Sequence, residues 1–170
     1  AMVARQLLQL LVWGGYGVLS LALFARMAGY SSGMVVISLG LTAGLWAASE
    51  WLRCLVVRHG WLQGSPMRLV ACLLGLIAVL AAGVQVGIYL MLWASLGLGW
   101  ASLPGGLANY TPASALAYWF NTALVLGLWT AVWVGIAALS QSRLNEVARL
   151  RAETAQRRLE LQALRARLNP

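Results

Sequence analysis

The sequence predicts an all-α integral membrane protein: a four-helix transmembrane bundle whose fourth helix continues into a cytoplasmic parallel coiled coil. Three observations carry this. Hydrophobic residues make up 61% of the 170 positions and charged residues only 9%, against roughly a quarter charged in a soluble domain, so lipid is the expected solvent. Four apolar runs each reach the roughly 20 residues that a helix needs to cross a bilayer. Beyond the fourth run, residues 140–169 contain neither Gly nor Pro, and their apolar positions recur in alternating steps of three and four.

The first span covers residues 7–25. A Met, an Arg and an apolar run open it as they would a signal peptide. However, Ala22, Ala25 and Ala28 stand three apart and offer no A-x-A cleavage pattern, so the segment is expected to stay as a membrane helix. The second, third and fourth spans cover residues 34–57, 69–96 and 113–139. Between them lie "RMAGYSSG", "RHGWLQGSPMR" and "GLGWASLPGGLANYTP", whose Gly, Ser and Pro interrupt helices. A four-pass transmembrane domain over residues 1–139 and a cytoplasmic helix over residues 140–170 follow.

Orientation comes from the arginines. Arg5, Arg53, Arg58, Arg68 and the tail from Arg143 fall on one side of a four-pass plot, and Arg26 alone on the other. Short cytoplasmic loops collect Arg and Lys, so both termini are expected in the cytoplasm. The net charge of +8 comes entirely from Arg, with no Lys in the chain.

In the tail, a heptad with a at Val147, Thr154, Leu161 and Leu168, and d at Leu150, Arg157 and Leu164, makes five of seven core positions apolar. In the same frame Glu146, Glu153 and Glu160 all fall at g, and Arg151, Arg158 and Arg165 all fall at e. Each Glu then has an Arg five residues on. That offset does not meet within one helix, but in a parallel pair the g residue of one helix faces the following e residue of its partner. A parallel homodimer is the expected partner state. A lone solvated helix competes poorly, because only Glu153–Arg157 has the favourable Glu-to-Arg spacing for a pair within one helix. Glu placed regularly between the arginines also argues against nucleic acid as a partner.

No breaker separates the fourth span from the tail, so one helix of about 55 residues is expected, on the order of 80 Å at 1.5 Å per residue. Extending the heptad backwards places Trp119, Leu126, Trp129, Trp133 and Ile136 on one stripe. Two readings remain open for it, a dimer seam or packing inside the subunit's own bundle.

The closing stretch "LQALRARLNP" resembles the segment just before the phosphoacceptor in LytS/YehU-type sensor histidine kinases, whose pattern runs L-Q-A-L-R-x-Q-[IL]-N-P-H-F-L-F-N. Leu161, Gln162, Ala163, Leu164, Arg165, Leu168, Asn169 and Pro170 match, and Arg167 stands where the family usually has Gln. Four passes without a soluble sensor domain suit the AlgZ/FimS-like branch. The chain stops one residue before the expected His, so the resemblance implies a kinase reduced to its membrane and signalling-helix part in a bacterial inner membrane. It further implies ATP and Mg for a following kinase core, and a response regulator of the LytTR type as downstream partner. His59 lies outside any such motif. The competing expectation is a four-pass scaffold or transporter accessory subunit that uses the coil for docking.

Inside the membrane part, deep polar groups mark the candidate ligand residues Glu50, Arg53, Gln85 and Asn121. Glu50 lies about 10 Å inside the cytoplasmic end of the second span, with Arg53 at the i,i+3 position that permits a pair. Gln85 and Asn121 lie about 16 and 12 Å below the outer surface, close enough in depth to bond if their helices adjoin. Tyr89 and Tyr118 are candidate additional donors, and Glu50 belongs to a separate layer. Gly40-x-x-x-Gly44 and Gly83-x-x-x-Gly87 match in depth and would let the second and third helices approach closely.

Cys54 and Cys72, too few for a disulfide framework, read as buried thiols. With His59 and Met67 they follow no recognised ligand spacing, so no metal site is predicted. No phosphate loop, Ser/His/Asp set or carboxylate pair supports catalysis within the chain. A lone histidine leaves no axial pair for a haem.

Overall fold

The computed structural model describes residues 2–61 and 65–168, all of whose regular elements are helical. They are α1 (Met2–Ala28), α2 (Ser32–Arg58), α3 (Pro66–Gly97) and α4 (Pro112–Leu168), with a short 3-10 turn at Gly106–Asn109 before α4. Stretches within all four are long and apolar enough to cross a membrane: Gln6–Arg26, Ser32–Arg58, Met67–Gly97 and Pro112–Ala163. Helix is the expected outcome for such sequences, because in hydrocarbon each backbone N–H and C=O must find its partner within the segment. The breaks fall where the chemistry demands. Gly99 takes a positive φ of 71° just past α3, a conformation that Gly adopts without steric cost. Pro66 opens α3 and Pro112 opens α4, at first-turn positions whose N–H has no helical partner anyway.

The chain divides into two units, Ala1–Thr130 and Ala131–Pro170. In the first, α2 is central: it packs against α1 on one side and α3 on the other. Between helices in lipid the hydrophobic effect supplies no drive, so close backbone approach and hydrogen bonds must hold the bundle. Both are present. The Trp13 indole N–H donates to Ser49 Oγ at 3.2 Å, Ser38 Oγ to the Gly17 carbonyl at 3.1 Å, and Thr42 Oγ1 to the Trp13 carbonyl at 3.3 Å. Gly17 has no room for a side chain, since a Cβ there would fall on Thr42 Oγ1.

The α2–α3 contact uses only half of the paired glycine motif. A Cβ on Gly40 would lie 3.0 Å from Ile88 Cγ1, and one on Gly44 would lie 2.8 Å from Val84 Cγ1, whereas Gly83 and Gly87 have open space around them. Aliphatic knobs of α3 therefore enter the glycine face of α2. The expected glycine-on-glycine approach is corrected to glycine against Ile and Val, because α3 turns its own glycines elsewhere.

The first part of α4 joins this bundle through aromatic side chains. The Trp119 indole donates to the Ala78 carbonyl of α3 at 2.9 Å, and the Trp129 ring meets Trp13 of α1 edge-on at 5.4 Å. Leu126 is wholly buried. Trp119, Leu126 and Trp129 thus pack inside the subunit's own bundle, the second of the two readings of that stripe. In the second unit, Trp133 is half-buried and Ile136 exposed.

Antiparallel succession sorts the charges. Arg53 and Arg58 near the end of α2 and Arg68 near the start of α3 share one end of the first unit, and Arg26, in the last turn of α1, lies at the other.

Candidate functional site

The connection after α3 folds back onto the start of α2. Its Ser102 carbonyl accepts the Gly33 N–H at 2.9 Å, and its Ser102 N–H donates to Ser32 Oγ at 2.8 Å. The first turn of any helix has unpaired N–H groups, and here the Ser31 carbonyl accepts from the Met34 N–H at 3.2 Å while the connection supplies the acceptor that the Ser31 side chain does not. A Cβ at Gly33 would stand 3.0 Å from that carbonyl oxygen and 3.1 Å from Leu103, so this close seat requires Gly.

Held in this way, Leu103, Pro104, Leu107 and Tyr110 roof a cavity of about 580 Å³ walled by all four helices of the first unit. That volume lies within the roughly 300–1,000 Å³ typical of small-molecule sites. Aliphatic side chains such as Leu41, Ile88 and Leu92 make much of the wall. Two polar networks interrupt it. In one, Gln85 Nε2 donates to Thr122 Oγ1 at 2.6 Å and to the Tyr118 carbonyl at 3.4 Å, while its Oε1 accepts from the Tyr110 hydroxyl at 3.2 Å. In the other, Asn121 Nδ2 donates to the Tyr16 hydroxyl at 3.0 Å. Together these bonds tie α3, α4 and the roof, and separately α1 and α4.

Tyrosines gather at one edge. Tyr110 lies between Tyr89 and Tyr118, with ring centroids 5.3 and 5.8 Å away. Burial raises the Tyr110 phenol above its ordinary value, and neighbouring Tyr118 and Tyr89 add to the rise. It remains a protonated donor to Gln85 at physiological pH. Among the described residues, no Arg, His, Cys or carboxylate lines the cavity.

Gln85 and Asn121 line one cavity, but the bond between them that their matched depth permits is not formed, and each bonds to other partners. Of the two expected extra donors, Tyr118 lines the cavity, and Tyr89 meets the Tyr110 ring at a tilt of 51°. Tyr16, Tyr110 and Thr122 escaped sequence reasoning. Thr122 sits beside Asn121 in the chain, and counting depth along the first span would have matched Tyr16 to the same level. Tyr110 depends on the path of the roof, for which no periodic signal exists.

Glu50 and Arg53 stand apart from this cavity. Arg53 Nη2 meets Glu50 Oε2 at 3.0 Å, with side chains 26% and 23% exposed, the i,i+3 pair that their spacing permits. Cys54 is exposed and Cys72 half-buried. Neither is the buried thiol expected from its apolar neighbours, because the exposed surface of these helices is as apolar in sequence as their core. Among the described residues, no three His, Cys, Asp or Glu side chains converge to hold a metal.

In the second unit, Val147, Leu150 and Leu161 are 45%, 56% and 56% exposed. Glu146, Arg151, Arg158 and Glu160 are exposed on the same helix. Within the helix, Glu153 pairs with Arg149 at 3.0 Å rather than with Arg157, and Glu160 accepts from Gln156 Nε2 at 3.2 Å. Exposed contacts of this kind contribute at most about 1 kcal/mol and exchange readily for others. The side chains of Leu164, Arg165 and Leu168, and all of Asn169 and Pro170, lie outside the described residues. Comparison with protein-family models, with curated proteins and with solved structures returned no match.

Proposed function

We propose that this chain is the sensing and dimerisation module of a LytS/YehU-type sensor histidine kinase, with both termini in the cytoplasm of a bacterial cell. The observation that carries the reading is the make-up of α4. This one helix, Pro112–Leu168, contributes Tyr118, Asn121 and Thr122 to a membrane cavity and also bears the heptad strip and the part of the kinase-like motif that runs from Leu161 to Leu168. A stimulus that favours one packing of α4 against α1 and α3 would bias the helix on which a phosphoacceptor follows in that family. Two copies pair in parallel through Val147, Leu150, Leu161, Leu164 and Leu168, with Glu146, Glu153 and Glu160 of each facing Arg151, Arg158 and Arg165 of the other. The kinase core would take ATP and Mg and pass phosphate to a response regulator of the LytTR type.

The test joins the chain in frame to the core of such a kinase and measures autophosphorylation in membranes. One residue inserted after Ser140 rotates everything beyond it by roughly 100°, and a whole inserted heptad restores the phase. Activity should change sharply with the single insertion and return with the heptad. Phosphorylation indifferent to phase removes the signalling reading and leaves a scaffold whose tail serves for docking.

A further inference from the structure

We infer that the cavity is a binding site for a neutral lipophilic molecule with one compact hydrogen-bonding head, a hydroxyl or carbonyl, on an apolar body. The inference deepens the sensory reading by naming the class of stimulus, yet it stands on the cavity alone. Charge decides the class. With no cationic, carboxylate or thiol side chain on the wall among the described residues, a carboxylate, phosphate or ammonium ligand would leave water with no counter-charge to meet it, which a low-dielectric site penalises strongly.

The polar groups decide the head. Gln85 is committed to Thr122, Tyr118 and Tyr110 and serves as a strut. Among the described residues the Tyr16 hydroxyl accepts from Asn121 and gives its own proton to no partner, so that proton can be given to a ligand oxygen, and the amide oxygen of Asn121, which also lines the cavity, keeps its capacity to accept. One donor and one acceptor side by side suit an alcohol or a carbonyl compound. They do not suit a pure hydrocarbon, which would leave both groups unmet in the membrane. Leu19, Leu23, Ile37 and Leu41 supply the wall for the apolar body.

The test uses the full chain in lipid nanodiscs and a medium-chain alkanol carrying a diazirine, with adducts located by peptide mass spectrometry. Saturable adducts are expected on Tyr16, Tyr110 and Tyr118 themselves, told apart from their neighbours in the chain by fragmentation of each labelled peptide. Unlabelled alkanol should displace them, and the carboxylate of the same chain should need more than about tenfold higher concentration. Filling the space with Ile37→Trp should abolish them without lowering the labelling of Leu116 and Phe120, which are 63% and 61% exposed on α4. Adducts that rise without saturation, equally on Leu116, Phe120 and the cavity, would mean that a lipid chain fills the space and would overturn the inference. Labelling by the carboxylate as strong as by the alkanol would overturn the charge argument. No kinase is needed, so failure here leaves the phase test of signalling intact, and failure there leaves this site standing.

Discussion

Gln85 on α3 donates to Thr122 Oγ1 on α4 at 2.6 Å, while its carbonyl oxygen receives the Tyr110 hydroxyl from the roof of the cavity. One side chain thereby joins two long apolar helices and a connecting segment. Replacing Gln85 with Leu should lower stability by about 1 kcal/mol, in line with polar contacts measured between membrane helices, and should release the roof. Thermal unfolding in detergent reads the first effect, and hydrogen exchange at residues 103–110 the second. An unchanged melting temperature with unchanged exchange would show the strut to be idle.

The glycines of α2 and α3 should respond in opposite ways. Gly44→Ala places a methyl 2.8 Å from Val84 Cγ1, and such overpacking typically costs about 1–3 kcal/mol. Gly87→Ala meets open space and should gain up to about 1 kcal/mol through helix propensity. Equal effects on the unfolding temperature would refute the asymmetric packing of these two helices.

Tyr110 makes a pH prediction. Its phenol is raised in the folded state by burial first and by Tyr118 and Tyr89 after that. For a group raised on folding, the associated stability is complete below the unfolded value of 10.0 and is lost as pH climbs through the higher folded one. The stability difference between wild type and Tyr110→Phe should therefore stay flat from about pH 6 to 9 and narrow above pH 10.0. Half-ionisation of this tyrosine below pH 10.0 would contradict the assigned environment.

Much of the fold is legible in the sequence, because an apolar run of about 20 residues has few options in lipid. Gln85 and Asn121 are visible for a related reason: an amide amid Leu, Val and Ile stands out. Their partners are not visible. Which face a helix presents depends on shape, and the same G-x-x-x-G letters in α2 and α3 end up packed in one and open in the other. Tryptophans illustrate the same limit, since Trp119 and Trp129 fit a dimer stripe and a bundle interior equally well until the Ala78 carbonyl and the Trp13 ring are known. Cys54 reads as buried from the sequence because apolar neighbours in the chain do not distinguish an exposed helix face from an interior one.

Charge pairing in the tail has its own check. Reversing Glu146, Glu153 and Glu160 together should weaken self-association by at least roughly tenfold, at a few tenths of a kcal/mol for each exposed pair. Reversing Arg151, Arg158 and Arg165 as well should restore it. Equal association in all three backgrounds would mean that the register is wrong.

Parallel pairing of two tails is best examined by cysteine crosslinking in native membranes, with Cys54 and Cys72 replaced by Ser and one new Cys placed at each position from 146 to 164. Same-position disulfides should peak at Val147, Leu150, Thr154 and Leu161 and fall away at Ala152 and Leu159, tracing a 3.5-residue period. Uniform crosslinking along the helix, or none at the peaks, would contradict a parallel homodimer and with it the proposed route from membrane to kinase.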